Sequence, residues 1–198
     1  MPVTWEPTTA RYRGEDGRFV SRDTVLDFVR QSIETSGNVT KTLAERVSSG
    51  QLSSREFLTV FKQEIKDEYI RQYVAGRGGV GSMAQKDWGK LGSMLKTQYA
   101  YADGFSEDLE NLTEGQIRSR SLMYINSSRQ AYEQGQRRAI SNAEGFTQER
   151  WMLNDSEHCA DCSSYAALGW VDIGTIPATP ADGSTQCKSN CKCFMQYK

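Results

Sequence analysis

The chain has 198 residues, of which 37% are hydrophobic, 10% aromatic and 25% charged, and its formal net charge is -1. So small an apolar share disfavours a large self-contained core and favours elongated helices, or a subunit completed in an oligomeric assembly. The aromatic content excludes whole-chain disorder, and the balanced charge excludes a protein that coats nucleic acid by electrostatics alone.

No run approaches the roughly 18 apolar residues that a membrane helix needs. The N-terminal MPVTWE has no basic start leading into an apolar stretch, so no secretory leader is expected. The expectation is a soluble protein made in a reducing cytoplasm, without a membrane partner. Prolines stand only at 2, 7, 177 and 180, and all cysteines fall after residue 158. The middle is therefore free to be helical.

Residues 1–20 read as an arm. RYRGEDGRFVS predicts two short strands, 11–13 and 18–20, paired across a glycine-containing turn; an extended arm lying on a neighbouring subunit is the equal alternative. Ser21 then predicts an N-cap with Asp23 in the first turn. Val25, Val29 and Ile33, continued by Val39, Leu43 and Val47, give the helical repeat. Gly37 is a place for a kink or split, and Gly50 an end.

Ser53 and Glu56 form a capping box before a second helix striped by Phe57, Phe61, Ile65, Tyr69 and Tyr73. Glycines 76, 78 and 79 stop it. The run GRGGVGS at 76–82 lacks the GK[ST] ending of a phosphate loop and reads as a flexible connector. A third helix carries Trp88, Leu91, Leu95, Tyr99 and Ala102, and runs on or restarts after Gly104 through Leu109 and Leu112. Thr113 and Gln116 open a fourth, about 115–143.

That fourth helix has two informative features. Ser127, Ala131, Gly135 and Ala139 are small and four apart, which suits close helix packing within the chain, or between subunits as the sharper alternative. Arg118, Arg120, Arg129, Arg137 and Arg138 stand against Glu133 alone between 115 and 140. A solvated basic face is the default reading, and a weak DNA contact through these five arginines is the functional one.

The tail carries the chemistry. Cys159-x2-Cys162 has the spacing of a zinc knuckle, in which both sulfurs reach one tetrahedral ion at about 2.3 Å. Cys187-x3-Cys191-x-Cys193 supplies the other half. A segment so poor in large apolar side chains needs a staple, and a structural zinc offers on the order of 10–16 kcal/mol. Disulfides leave one of five cysteines over and are disfavoured in the cytoplasm, though one could form after a particle leaves the cell; plain reduced thiols are the third alternative. Cys159, Cys162 and Cys191 are the firmest ligands, with Cys187 or Cys193 the fourth. His158, the only histidine, adjoins Cys159 and is assigned a cap or a solvent-facing position. Surplus ligands favour a closed site, and no nucleophile–base pair, deaminase pattern or nucleotide loop is present, so no enzyme is expected.

The motifs GRFVSRDTV, QYAYADGFSEDL (98–109), LTEGQIRSRSLMYINSSRQAYEQGQRRA (112–139), ERWMLNDSEHCADC, LGWVDIGTIPA and GSTQCKSNCKCFMQY resemble the phage head morphogenesis family, the Mu F-like minor head proteins. Cys187 stands where many of these have histidine, and Lys192 is the basic residue of the Cys-basic-Cys ending. The resemblance implies a virion component of a tailed phage. It would be made in the host cytoplasm, associate with the portal and/or major capsid protein, and have no catalytic role. The alternative from another class is a small zinc-stabilised nucleic-acid-binding adaptor. The predicted fold is mainly α. An N-terminal arm (1–20) and an extended long-helix bundle (21–148) precede a small irregular cysteine-rich zinc-type module (149–198) with short strands near 151–153 and 193–197.

Overall fold

The computed structural model describes residues 3–6, 9 and 11–198. It is mainly helical, with a small cysteine-rich module at the C-terminal end. None of its helices is long and apolar enough to cross a membrane among the described residues.

The arm forms a three-stranded antiparallel sheet of β1 (Thr4–Glu6), β2 (Arg11–Arg13) and β3 (Phe19–Val20), with Tyr12 opposite Val20. It lies on its own chain. Trp5 N–H donates to Gly78 O (3.0 Å) and the Tyr12 hydroxyl to Gly76 O (3.1 Å). A Cβ on Gly78 would stand 2.0 Å from Trp5 Cβ, and Gly78 is left-handed at φ +78°. The glycine run at 76–82 is therefore a seat for the arm, not a flexible connector.

Helix α1 spans Arg22–Ser48, capped by Ser21 Oγ, which accepts from Thr24 N–H. Gly37 does not divide it. The glycine is buried because Leu122 approaches there: a Cβ would meet Leu122 Cδ2 at 3.1 Å. Val39 is exposed instead of inward. The inward line is Ser32, Ser36 and Thr40, because the facing helix presents a fully buried Glu68. Both serine hydroxyls donate to its carboxylate at 2.9 Å, and Arg71 and Gln72 complete the network.

Helix α2 (Ser54–Arg77) begins with the capping box as expected, and its five stripe residues are all buried. They pack against α3 (Gln85–Glu107) and α4 (Glu114–Ser127) around Phe57, Phe61, Phe105 and Tyr124, whose rings lie 5.2–5.9 Å apart. Helix α3 runs through Gly104. Trp88 faces outward because Asp87 turns in, accepting from Ala84 N–H (2.9 Å) and facing Arg77 (3.2 Å).

The single helix expected over 115–143 is two: α4, then α5 (Arg129–Ile140). Ser127 and Ser128 each turn a hydroxyl onto the carbonyl three residues back (2.6 Å), which competes with the helix ladder at that point. The small-residue face of α5 packs within the chain. A Cβ on Gly135 would meet Tyr73 O at 2.6 Å, and one on Gly76 would meet Tyr132 O at 2.2 Å, so α2 and α5 cross backbone to backbone.

The module is a second antiparallel sheet, ordered β5-β4-β6, from β4 (Gln148–Met152), β5 (Val171–Asp172) and β6 (Phe194–Tyr197), with helix α6 (Ala160–Ala167). Trp151, Ile176 and Met195 form its core with the cysteines.

The other face of α5 straps this module to the bundle. Arg137 grips the buried Glu149 of β4, its Nε at 2.8 Å, and also donates to Ile176 O. Glu149 accepts in addition from Gly174 N–H (3.0 Å) and Ile176 N–H (3.2 Å). Arg129 donates to Cys191 O (3.2 Å) and Cys193 O (2.6 Å) and faces the buried Glu133, which approaches Met195 N–H at 3.4 Å. Burial raises the Glu133 pKa, and Arg129 and Arg22 oppose that rise. Arg129 and Arg137 are thus not part of a solvated basic face. Arg137→Met leaves the buried Glu149 side chain without its cation; the expected loss is about 3–5 kcal/mol by denaturant unfolding, with module amides losing hydrogen-exchange protection first. Unchanged protection there would show that the strap carries no load.

Candidate metal centre

Four short backbone features converge the thiols. Cys159 is the N-cap of α6, and Cys162 sits in its first turn. Cys187 and Cys191 flank a single 3-10 turn, Lys188–Asn190, and Cys193 immediately precedes β6. Lys188, the first residue of that turn, adopts a left-handed φ of 49°. The two knuckles are tied by Gln186 N–H donating to Asp161 Oδ2 at 2.8 Å.

All five cysteines are free thiols. The Sγ–Sγ separations are 3.6 Å for Cys159–Cys187, 3.5 Å for Cys162–Cys187 and 3.6 Å for Cys162–Cys191. An ion with four sulfurs at about 2.3 Å has edges of about 3.8 Å, and each of these three separations matches such an edge, though Cys191 shares no triad with Cys159 or Cys187 and would have to close on them to complete one tetrahedron. The sulfurs form two triads, Cys159–Cys162–Cys187 and Cys162–Cys191–Cys193, that share the buried Cys162. This cluster could hold a metal ion.

The electrostatics suit that use. Burial and neighbouring thiols push Cys162 well up; the thiol of Cys193, then burial, do the same for Cys191. Burial alone would raise Cys159, but hydrogen bonds from the backbone N–H groups and thiols of Cys162 and Cys187 outweigh it and bring it down to about 7. Cys193 is lowered by its bond to Cys191. Five crowded thiols cannot all ionise without a cation, and a divalent ion supplies the missing charge.

His158 is half-buried, not solvent-facing. Its Nδ1 lies 3.7 Å from Cys193 Sγ, and its Nε2 2.7 Å from Asn154 O. It approaches the edge of the cluster through Cys193 alone.

The five arginines separate. Arg129 and Arg137 bind the module. Arg120 pairs with Asp108 (3.0 Å) over the Phe105 ring, and Arg138 lies 3.9 Å from Asp87. Only Arg118 has neither ion pair nor hydrogen bond among the described residues. Sequence reasoning missed Glu149 and Glu133 as the anchors of the strap. A signal for the first existed: Glu149 and Trp151 share one face of a strand, the buried one.

No protein-family model, curated protein or solved structure matches the chain.

Proposed function

We propose that the module holds one structural zinc ion and that the chain is a structural minor head protein of a tailed phage, joined to the portal or inner capsid during head assembly and carried in the virion. The observation that carries the reading is the thiol cluster seated against the helical body. It offers more sulfurs than one ion needs, and Arg129 donates directly to the carbonyls of Cys191 and Cys193. Such a site fixes shape and does no chemistry. The motifs that resemble the Mu F-like proteins supply the context.

Cys159, Cys162, Cys187 and Cys191 are the proposed ligands, because Cys187 lies within 3.6 Å of both members of the first knuckle. Cys193, against His158, completes the surrounding shell. Zinc is preferred to other soft-ligand metals because it takes four thiolates in a purely structural role. Protein purified under reducing conditions is expected to contain about one zinc per chain by elemental analysis; a folded sample with none overturns the metal reading. The assembly reading is tested in phage-producing cells. The chain is expected in purified heads at low copy by mass spectrometry, and its absence from heads while abundant in the soluble fraction overturns it.

The nucleic-acid adaptor reading loses support from the strap, since Arg129 and Arg137 are spent inside the molecule. Steep salt-dependent retention on duplex DNA would restore it.

A further inference from the structure

The five sulfurs lie as two triangles hinged at Cys162: Cys159–Cys162–Cys187 on one side and Cys162–Cys191–Cys193 on the other. An ion at the first triangle gains Cys191 as its fourth ligand only when that sulfur closes on Cys159 and Cys187. It leaves the outer half of the second triangle without a use. That half is Cys193, almost wholly buried, with His158 beside it.

The second triangle has a completing ligand of its own. His158 Nδ1 lies 3.7 Å from Cys193 Sγ. A tetrahedral ion with one nitrogen at about 2.0–2.1 Å and one sulfur at about 2.3 Å sets the two about 3.6 Å apart. The other side of the ring is arranged to match. Nε2 lies 2.7 Å from Asn154 O, and a carbonyl only accepts, so in the neutral ring the proton sits on Nε2 and Nδ1 offers its lone pair on the side of Cys193. A backbone carbonyl on the second nitrogen is the usual outer contact of a metal-binding histidine, where it fixes the tautomer and the ring plane. His158 stands outside both triads and has to close on Cys162 and Cys191. It is carried on the irregular stretch between β4 and α6, which no helix or strand holds, and Asn154 lies on the same stretch and moves with it. Charge favours the same outcome. Four thiolates around one divalent ion leave two negative charges in excess; a fifth thiolate with a second divalent ion leaves one.

We propose that the module takes up a second zinc ion on Cys162, Cys191, Cys193 and His158, bridged to the first through shared sulfur. Cys159 and Cys187 are then terminal on the first ion, Cys193 and His158 are terminal on the second, and Cys162 and Cys191, 3.6 Å apart, lie between them, so that each ion has four ligands. The Cys193 proton leaves to solvent as the ion enters. The proposal rests on the zinc reading of the first site and not on the virion reading. The first ion closes the module. The second is held more weakly, because half of its ligands are shared and the histidine has to swing in, so purified protein keeps about one ion and takes the second from added zinc.

The test uses the full chain, kept reduced and dialysed against a rising series of free zinc concentrations up to the micromolar range, with zinc per chain read by elemental analysis. The parent protein is expected to pass from about one ion per chain to about two. His158→Ala and Cys193→Ser should each stop at about one over the same series, with the loop 169–183 still resistant to protease. Should Cys193→Ser misfold at its buried position, His158→Ala carries the test by itself. Cadmium in place of zinc, read by its own NMR resonances, adds a second measurement. Two signals split by each other are expected, because the ions share sulfur; an ion held elsewhere by surface carboxylates shows no such splitting. A parent protein that stops at one zinc overturns the proposal and leaves the first site standing. A second zinc that His158→Ala retains, or two cadmium signals without mutual splitting, also overturns it. A folded chain that takes no zinc at any concentration removes both readings together.

Discussion

Gly76→Ala is expected to lower the melting temperature by roughly 6–12 °C, the equivalent of about 3 kcal/mol for a chain of this size. A Cβ at that position would stand 2.2 Å from Tyr132 O, 2.8 Å from Gln136 N and 3.0 Å from Tyr132 C. All three are backbone atoms of α5, so no side chain can swing aside. The helix itself must retreat, and it cannot do so alone. Tyr132 is fully buried beneath it, Gly135 meets α2 in the same way from the other side, and Arg129 and Arg137 hold the module from its far face. The disturbance therefore reaches both halves of the molecule. Gly92→Ala is the control. It lies in α3 with nothing within 4 Å of its added methyl, and should stabilise by about 0.5–1 kcal/mol through helix propensity. Equal melting temperatures for Gly76→Ala and the parent protein would refute the close crossing of α2 and α5.

The parts of this fold legible in the sequence are those written in local chemistry. Ser21, Ser53 and Thr113 announce their helices because a cap is a contact three residues long. The α2 stripe is legible because all five of its large residues meet one core. The α1 stripe is only half legible. Counting apolar residues put Val39 inward, whereas the inward positions are serines and a threonine facing a glutamate from another helix. Nothing within α1 announces Glu68. Trp88 is the same kind of case: bulk predicted burial, and the cap and ion pair of Asp87 decided the rotation of α3 instead.

The cysteines were legible as a cluster because thiols two and three residues apart have few other reasons to coincide. The use of the arginines was not. A basic helix reads as solvated because the sequence places its counter-ions too weakly: Glu133 is one turn from Arg129, but Glu149 is a strand away from Arg137. The strap joins elements that only the tertiary fold brings together, and it turns part of a face expected to be solvated into the seam between bundle and module.

Cys162→Ser is expected to unfold that module while leaving the bundle standing. Cys162 is the one sulfur common to both triads and is almost wholly buried, so no relaxation of a neighbouring knuckle can replace it. A serine hydroxyl is shorter, harder and far less acidic than a thiol, and the proposed zinc, left with three ligands, would lose much of the roughly 10–16 kcal/mol that a complete structural site supplies. The module has little to set against that loss: its core of Trp151, Ile176 and Met195 with the cysteines is small. The bundle has its own core, from Phe57 to Ile125, with no cysteine in it. Helical circular dichroism should therefore change little, while proteolysis within the loop 169–183 rises sharply and zinc content falls. On the proposed virion role, the same substitution should reduce incorporation into heads or infectivity in phage-producing cells. His158→Ala should do much less, because the imidazole touches the cluster only at Cys193, outside the four proposed ligands. If His158→Ala opens the module as fully as Cys162→Ser, the histidine is a ligand and the four-cysteine assignment is wrong. If both variants leave the loop resistant to protease and the particles infectious, zinc is not what holds the module shut.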